Sequence, residues 1–237
     1  MKAVILAAGR GSRLGHFTKS IPKTLNIVAQ KPIIEYIISS LKSAGIDQVI
    51  IISGYQSHLL NQYADTMIIN EEWEHTNMVV SLLCAKKFFS ENLIISYSDV
   101  IYSSETVMSL KNQKNDIVVP YFLGWEKLWK MRFEDPLSDL ESFRINQEGS
   151  ILDIGQKVNS IHHIQGQFMG LIRFTPRAFD WVDQYLSNKK EDIAQMDMTT
   201  LLRGLIKQGH SIHGMPVNDL WMEVDSPKDL QIANKYF

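Results

Sequence analysis

The chain has 237 residues, with 24 Lys and Arg against 26 Asp and Glu and a formal net charge of −2. That length suits one large domain or two small ones, and 45% hydrophobic with 21% charged residues is a globular rather than a disordered composition. The balanced charge argues against wrapping a polyanion such as nucleic acid, and the single cysteine, Cys84, excludes an internal disulfide and a cysteine-based zinc site.

The first stretch, Met1-Lys2-Ala3-Val4-Ile5-Leu6-Ala7-Ala8-Gly9, has the residue order of a secretory leader. Its apolar run is shorter than an h-region, and Arg10 and Arg13 crowd its end, so it reads as a buried first strand. No run approaches the ~18 apolar residues of a membrane helix. A cytoplasmic enzyme without a membrane or nucleic-acid partner is the expectation.

Pro32 to Ala44 reads as a helix, with Ile33, Ile34, Ile37, Ile38 and Leu41 on one face and Gly45 as its stop. Gln48 to Ile52 is a β-branched strand ended by Gly54, and Met67 to Ile69 a shorter one. Asn77 to Phe89 has helical spacing. Leu93 to Ile95 is a further strand running on to Ser98 and Asp99. Strands that are apolar on both faces and alternate with helices predict a mostly parallel sheet covered on both sides.

Asp116 to Tyr121 reads as the next strand. Gly124 to Asp139 is aromatic and charged without a clear period, and reads as an insertion or lid. Ser142–Asn146 and Ser150–Ile154, joined by Gln147-Glu148-Gly149, alternate as a hairpin. A strand from Phe168 to Phe174, helices over Pro176–Leu186 and Met198–Lys207, a strand near Ile212–Val217 and a helix from Pro227 complete the chain. The fold class expected is α/β, a Rossmann-like mixed and mostly parallel sheet with helices on both faces and a small β insertion. It forms one domain over 1–237, in two halves, 1–121 and 122–237, the second carrying the lid.

The loop Leu6-Ala7-Ala8-Gly9-Arg10-Gly11-Ser12-Arg13-Leu14 follows the first strand directly. Small residues and glycines let backbone N–H groups approach a phosphate chain. It is not a P-loop, which needs Gly-Lys-Ser/Thr. Nor is it a dinucleotide fingerprint, because Gly15 comes one residue late and no acidic residue closes a second strand. Backbone donors with Arg13 and Lys23 suggest a triphosphate grip; the bland alternative is a strand-to-helix turn with exposed arginines.

The pattern Leu6-Ala7-Ala8-Gly9-x-Gly11-x-Arg13-Leu14, then Pro22-Lys23, resembles the signature of the nucleotidyltransferases that make nucleotide-activated sugars and alcohols. The resemblance runs on through Gly54-Tyr55, Asn77 with Ser81, Asp99, and Glu223-Val224-Asp225-Ser226-Pro227. Arg132-Phe133-x-x-Pro136-Leu137-Ser138-Asp139-x-Glu141 and Gly166-Gln167-Phe168-Met169-Gly170 are most similar to cytidylyltransferases of the phosphocholine type. One departure is His16, where such enzymes usually carry proline.

The resemblance implies a Mg²⁺-dependent transfer from CTP to a small phosphorylated acceptor, with release of pyrophosphate. The acceptor phosphate is largely dianionic at neutral pH, so no general base is required, only neutralisation of charge. Arg13 and Lys23 are the expected catalytic cations. Leu6, Ala7, Ala8, Gly9, Gly11, Ser12, Tyr55, Asn77 and Ser81 are the expected nucleotide contacts, and Asp99 and Asp225 the metal ligands. Each has a structural alternative: a helix cap for Asp99, Asp225 and Asn77, and a free surface lysine for Lys157. Trp129, Arg132, Glu141 and Lys157 are the expected acceptor contacts, because aromatic faces beside carboxylates can cage an ammonium. Trp125, Phe133, Asp135 and Asp139 cluster with them, and a packed lid is the alternative. His162 and His163 read as surface or hinge residues.

The product would be a CDP-activated group for surface glycan decoration, made by a monomer or homodimer. Two rivals stand beside this expectation: a sugar-1-phosphate uridylyl- or thymidylyltransferase, and a non-catalytic nucleotide-binding regulator.

Overall fold

The computed structural model describes residues 1–189 and 193–237, without the side chain of His163. Its elements are β1 (Lys2–Ala7), a short ladder of β2 (Ile27–Val28) and β3 (Lys31–Pro32), α1 (Ile33–Ser43), β4 (Gln48–Ser53), β5 (Thr66–Ile69) and α2 (Met78–Cys84). Next come β6 (Leu93–Tyr97), β7 (Val100–Tyr102), α3 (Ser104–Lys111), β8 (Ile117–Phe122), α4 (Trp125–Arg132), β9 (Glu141–Ile145) and β10 (Ile151–Lys157). The chain closes with β11 (Gln167–Phe168), β12 (Leu171–Phe174), α5 (Pro176–Ser187), α6 (Met198–Lys207), β13 (His213–Val217), β14 (Trp221–Glu223) and α7 (Pro227–Tyr236).

The main sheet runs β8-β12-β6-β1-β4-β5, with β13 and β11 also paired to β8. β6, β1, β4 and β5 are parallel, and β12 is antiparallel to both β6 and β8. The mixed, mostly parallel sheet is as the sequence predicts. Side chains alternate across β1: Ala3, Ile5 and Ala7 pack with Ile33, Ile37 and Leu41 of α1, while Val4 and Leu6 face Val79 and Leu82 of α2 and the α5–α6 side. All are buried, so both faces of the first strand are core, which is why its sequence is a continuous apolar run.

Three expectations need correction, and one alternative falls. The stretch from Gly124 is not irregular: α4 buries Trp125, Leu128, Trp129 and Arg132, an i, i+3, i+4, i+7 face. An arginine at one of the four core positions hid the period. The helix from Asn77 ends at Cys84 and tightens into a 3₁₀ turn over Lys86–Phe88. The strand from Phe168 to Phe174 is split into β11 and β12 at Gly170, whose φ of 71° only glycine adopts at little cost. Asp99 and Asp225 are not helix caps. Ser103 caps α3, and Ser226 caps α7 in a capping box with Asp229. The expected hairpin is present as β9 and β10.

The sheet puts the ends of β1, β4 and β6 side by side. At Gly54, after β4, an added Cβ would lie 2.5 Å from Trp73 and 2.8 Å from the Ala8 carbonyl oxygen. The Tyr55 amide donates to that same carbonyl at 2.9 Å. Glycine there lets the loop after β1 lie directly against the next strand end.

Candidate active site

The short β7 and β14 bring the two ends of the chain together. They pair antiparallel, Val100 opposite Glu223, and the Val224 amide donates to the Asp99 carbonyl at 2.9 Å. Asp99 and Asp225 thereby converge, 126 positions apart in sequence. Between them lies Lys23, only 6% exposed. Its Nζ is 2.6 Å from Asp99 Oδ2 and also bonds to Asp225, whose second oxygen meets Arg13. Burial works against the charged amine, but the two carboxylates outweigh it and hold Lys23 above the ordinary lysine pKa. Gly11, with φ of 71°, lies against the Lys23 stem; any Cβ there would come within 2.7 Å of it.

Asp99 Oδ1 is buried and has no hydrogen-bond partner among the described residues. An orphaned carboxylate oxygen beside a second carboxylate suits a hard cation such as Mg²⁺. Among the described residues no group of three or more His, Cys, Asp or Glu is placed to hold an ion. The pair fits a magnesium ion that takes its remaining ligands from water and substrate phosphates.

Two cavities open on either side of this centre. The first, about 200 Å³, is lined by Leu6, Ala8, Gly9 and Gly11 of the loop, by Lys23 and Asp99, and by Trp73, Thr76, Asn77 and Ser81. The second, about 310 Å³, is lined by the rings of Tyr97, Trp129, Phe168 and Trp221 and by Asp139, Glu141, Asp197, Glu223 and Asp225. Arg13, Asn77, Met78, Tyr97 and Asp225 line both. The seam between the cavities is therefore the place where a cation and a carboxylate already meet.

In the larger cavity, Trp129 and Trp221 stack with centroids 5.9 Å apart, and Trp129 Nε1 donates to Asp139 Oδ2 at 3.0 Å. Five carboxylates face one arginine on its wall. Burial pushes the carboxyl of Glu223 up to about 7 against the pull of Arg132, and raises those of Glu141 and Asp139 as well. The site strains to hold negative charge and would be relieved by a cation.

Most of the residues expected at the site meet here: Leu6, Ala8, Gly9, Gly11, Arg13, Lys23, Asn77, Ser81, Asp99, Trp129, Glu141 and Asp225. Asn77 also caps α2, its Oδ1 accepting from the Met78 amide at 2.8 Å. Others lie elsewhere. Ala7 is buried within β1 and Ser12 is exposed, neither on a cavity wall. Tyr55 braces the loop from behind, its hydroxyl donating to the Lys19 carbonyl at 2.5 Å.

Arg132 is not an acceptor contact. It is 4% exposed, with Nε 2.8 Å from Asp229 and a terminal nitrogen 2.8 Å from Glu223. Lys157, opposite Glu141 at the end of β10, is exposed and lines neither cavity. Trp125 is core, while His162 is exposed, as expected of a surface residue. His16, the departure in the loop, is exposed with its ring 4.0 Å from that of Phe17.

Sequence reasoning missed Tyr97, Asp197 and Trp221. Tyr97 stands two residues before Asp99, at the end of the same strand. Asp197 caps α6, a pattern legible in Asp197-Met198-Thr199-Thr200.

Residues 3–155 match the family described as the MobA-like NTP transferase domain. The chain is 33% identical to the CTP:phosphoglutamine cytidylyltransferase of Campylobacter jejuni, over 98% of each chain. It is 28% identical to the choline-phosphate cytidylyltransferase of Streptococcus pneumoniae, over 84% of this chain and 87% of that one. The inositol-1-phosphate CTP transferase of T. maritima shares the fold, with a TM-score of 0.76 at 18% identity over 99% and 95% of the two chains.

Proposed function

The chain belongs to the MobA-like NTP transferase family and is a nucleotidyltransferase, and on that footing we propose that it transfers a cytidylyl group from CTP to a small phosphorylated acceptor carrying an ammonium group. The observation that carries this reading is the pair of cavities meeting at Arg13 and Asp225. The smaller takes the nucleotide and the larger the acceptor, so the two phosphates meet at the seam. An acceptor phosphate oxygen attacks the α-phosphorus. The bond from that phosphorus to the bridging oxygen breaks, and pyrophosphate leaves with the electron pair.

Asp99 and Asp225 would hold Mg²⁺, which supplies neutralisation of the phosphate charge when bound. Lys23 then leaves its two carboxylates for the α-phosphate, and Arg13 binds the departing pyrophosphate end. The acceptor phosphate arrives as a dianion, so no side chain has to remove a proton.

The chemistry of the larger cavity favours an amino-alcohol or amino-acid phosphate over a sugar phosphate. Aromatic faces beside carboxylates attract a cation, and the amides on that wall, Asn77 and Gln167, already donate to the Gln195 and Glu141 carbonyls. Two relatives named as cytidylyltransferases support the choice of CTP.

Pyrophosphate release, followed with each NTP over phosphorylated amino alcohols, amino acids and sugars, tests this. CTP is expected to exceed UTP by at least about tenfold, since one unmatched buried polar group on the base costs about 1–3 kcal/mol. Equal rates with CTP and UTP, or best use of a sugar 1-phosphate, would overturn it.

Within this reading, Glu141→Gln should raise the acceptor KM about tenfold, the worth of roughly 1–2 kcal/mol from a desolvated charge contact, while the KM for CTP stays put. Burial raises the carboxyls of Glu141 and Asp139 above their ordinary values, so each gives up its proton at a higher pH than a free carboxyl does. The acceptor KM should therefore fall as pH rises and the carboxylates form, and this slope should be shallower in the variant. An acceptor KM unchanged by the substitution would remove Glu141 from the acceptor site.

A further inference from the structure

Asn70, just past β5, is 3% exposed and has no place in the chemistry above. Its Oδ1 accepts the Glu72 amide at 3.1 Å. A backbone N–H can meet only the oxygen of an amide, so the orientation of the Asn70 side chain is fixed. Its nitrogen must then donate, and it does so twice, to Thr76 Oγ1 at 3.0 Å and to Ser81 Oγ at 3.1 Å.

The two hydroxyls differ in what they have left. Thr76 spends its hydrogen on the Glu72 carbonyl at 2.8 Å, so toward the cavity it can only accept. Ser81 takes the Asn70 hydrogen, and among the described residues nothing accepts its own, so it keeps a donor. Both residues line the smaller cavity, within 3.1 Å of the same nitrogen.

We infer that the Glu72 carbonyl sets Thr76 as an acceptor, that Asn70 holds both hydroxyls in place and leaves Ser81 a donor, and that this pair reads the amino-pyrimidine edge of the base. Cytosine presents an amine donor at N4 beside an acceptor at N3. Uracil presents the reverse, a carbonyl at O4 beside a donor at N3. The fixed pair meets the first pattern and opposes the second at Thr76, where two acceptors would face each other. Asn70 acts through the hydroxyls and is a positioning residue, and Thr76 is a specificity-determining contact. This rests on the cytidylyl reading above.

The test is calorimetric titration of CTP and of UTP into the protein with magnesium in the buffer and no acceptor. Thr76→Val keeps the shape and removes the acceptor, so CTP binding should weaken about tenfold while UTP binding does not weaken. Asn70→Asp replaces the amide donor with an oxygen that draws the Ser81 hydrogen to itself and turns Ser81 into an acceptor facing cytosine N3, so CTP binding should weaken more than UTP binding and the CTP/UTP affinity ratio should fall. A merely structural role would weaken both nucleotides alike, and that outcome overturns the inference. So does a ratio unmoved in folded Thr76→Val, a conservative change that decides the matter even where Asn70→Asp fails to fold. A parent protein that binds CTP and UTP equally overturns the cytidylyl reading along with it. A CTP-selective parent with unmoved variants overturns this inference alone.

Discussion

Asp99→Asn is expected to keep the fold and to lose on the order of a hundredfold or more in turnover, the usual cost of removing one preorganised charge contact from a transition state. The fold survives because the side chain keeps its shape and Lys23 retains Asp225 as its buried partner. Activity is lost because an amide cannot neutralise a cation, and Asp99 contributes a buried oxygen that has no hydrogen-bond partner among the described residues. Two readouts separate this from a general loss of structure. The thermal midpoint should stay near that of the parent, and the magnesium concentration giving half-maximal rate should rise. Turnover within threefold of the parent would sink the assignment of Asp99 to the metal. Since the protein offers two carboxylates and the substrate the other ligands, magnesium should bind weakly to the protein alone and far more tightly once CTP is present.

The sheet was legible because buried parallel strands must be apolar on both faces, and β1, β4 and β6 are nearly unbroken runs of such residues. The phosphate-side loop was legible because glycines and cations at fixed spacing have few other uses. What stayed hidden has physical reasons. β7 and β14 are three residues each, too short for a period, and they exist because they pair with one another. The helix α4 was concealed by Arg132, a charged residue in a core position that its partners alone explain. Thr76 is held on the cavity wall by hydrogen bonds from Asn70 and to Glu72 around a turn, which no spacing rule encodes. The wall of the larger cavity gathers Tyr97, Glu141, Asp197 and Trp221 from four separate elements, so its aromatic and acidic character emerges only on folding.

Arg132→Ala should cost about 3–5 kcal/mol of stability, the range for removing one partner of a buried ion pair. The guanidinium is almost wholly enclosed and serves two carboxylates from different elements: Glu223 at the end of β14 and Asp229 in the first turn of α7. Burial opposes its charge, yet Glu223 and Asp229 outweigh that and raise its pKa further above the ordinary arginine value. Asp229 in turn accepts from the amides of Asp225 and Ser226, at 3.1 and 2.9 Å, so the same arginine steadies the backbone that presents Asp225. Truncation leaves the buried Asp229 and the half-buried Glu223 without their ion-pair partner, and also removes the planar group that lies 4.8 Å from the Trp129 ring. For a chain of this size about 2–4 °C is lost per kcal/mol, so the melting temperature should fall by roughly 6–20 °C. Arg132→Lys restores the charge without the fork that reaches two carboxylates, and should recover only part of the loss. A midpoint for Arg132→Ala within about 2 °C of the parent, equivalent to no more than about 1 kcal/mol, would mean that water or a rearranged α4 satisfies the two acids. The arginine would then not be the tie between the wall of the larger cavity and Asp225.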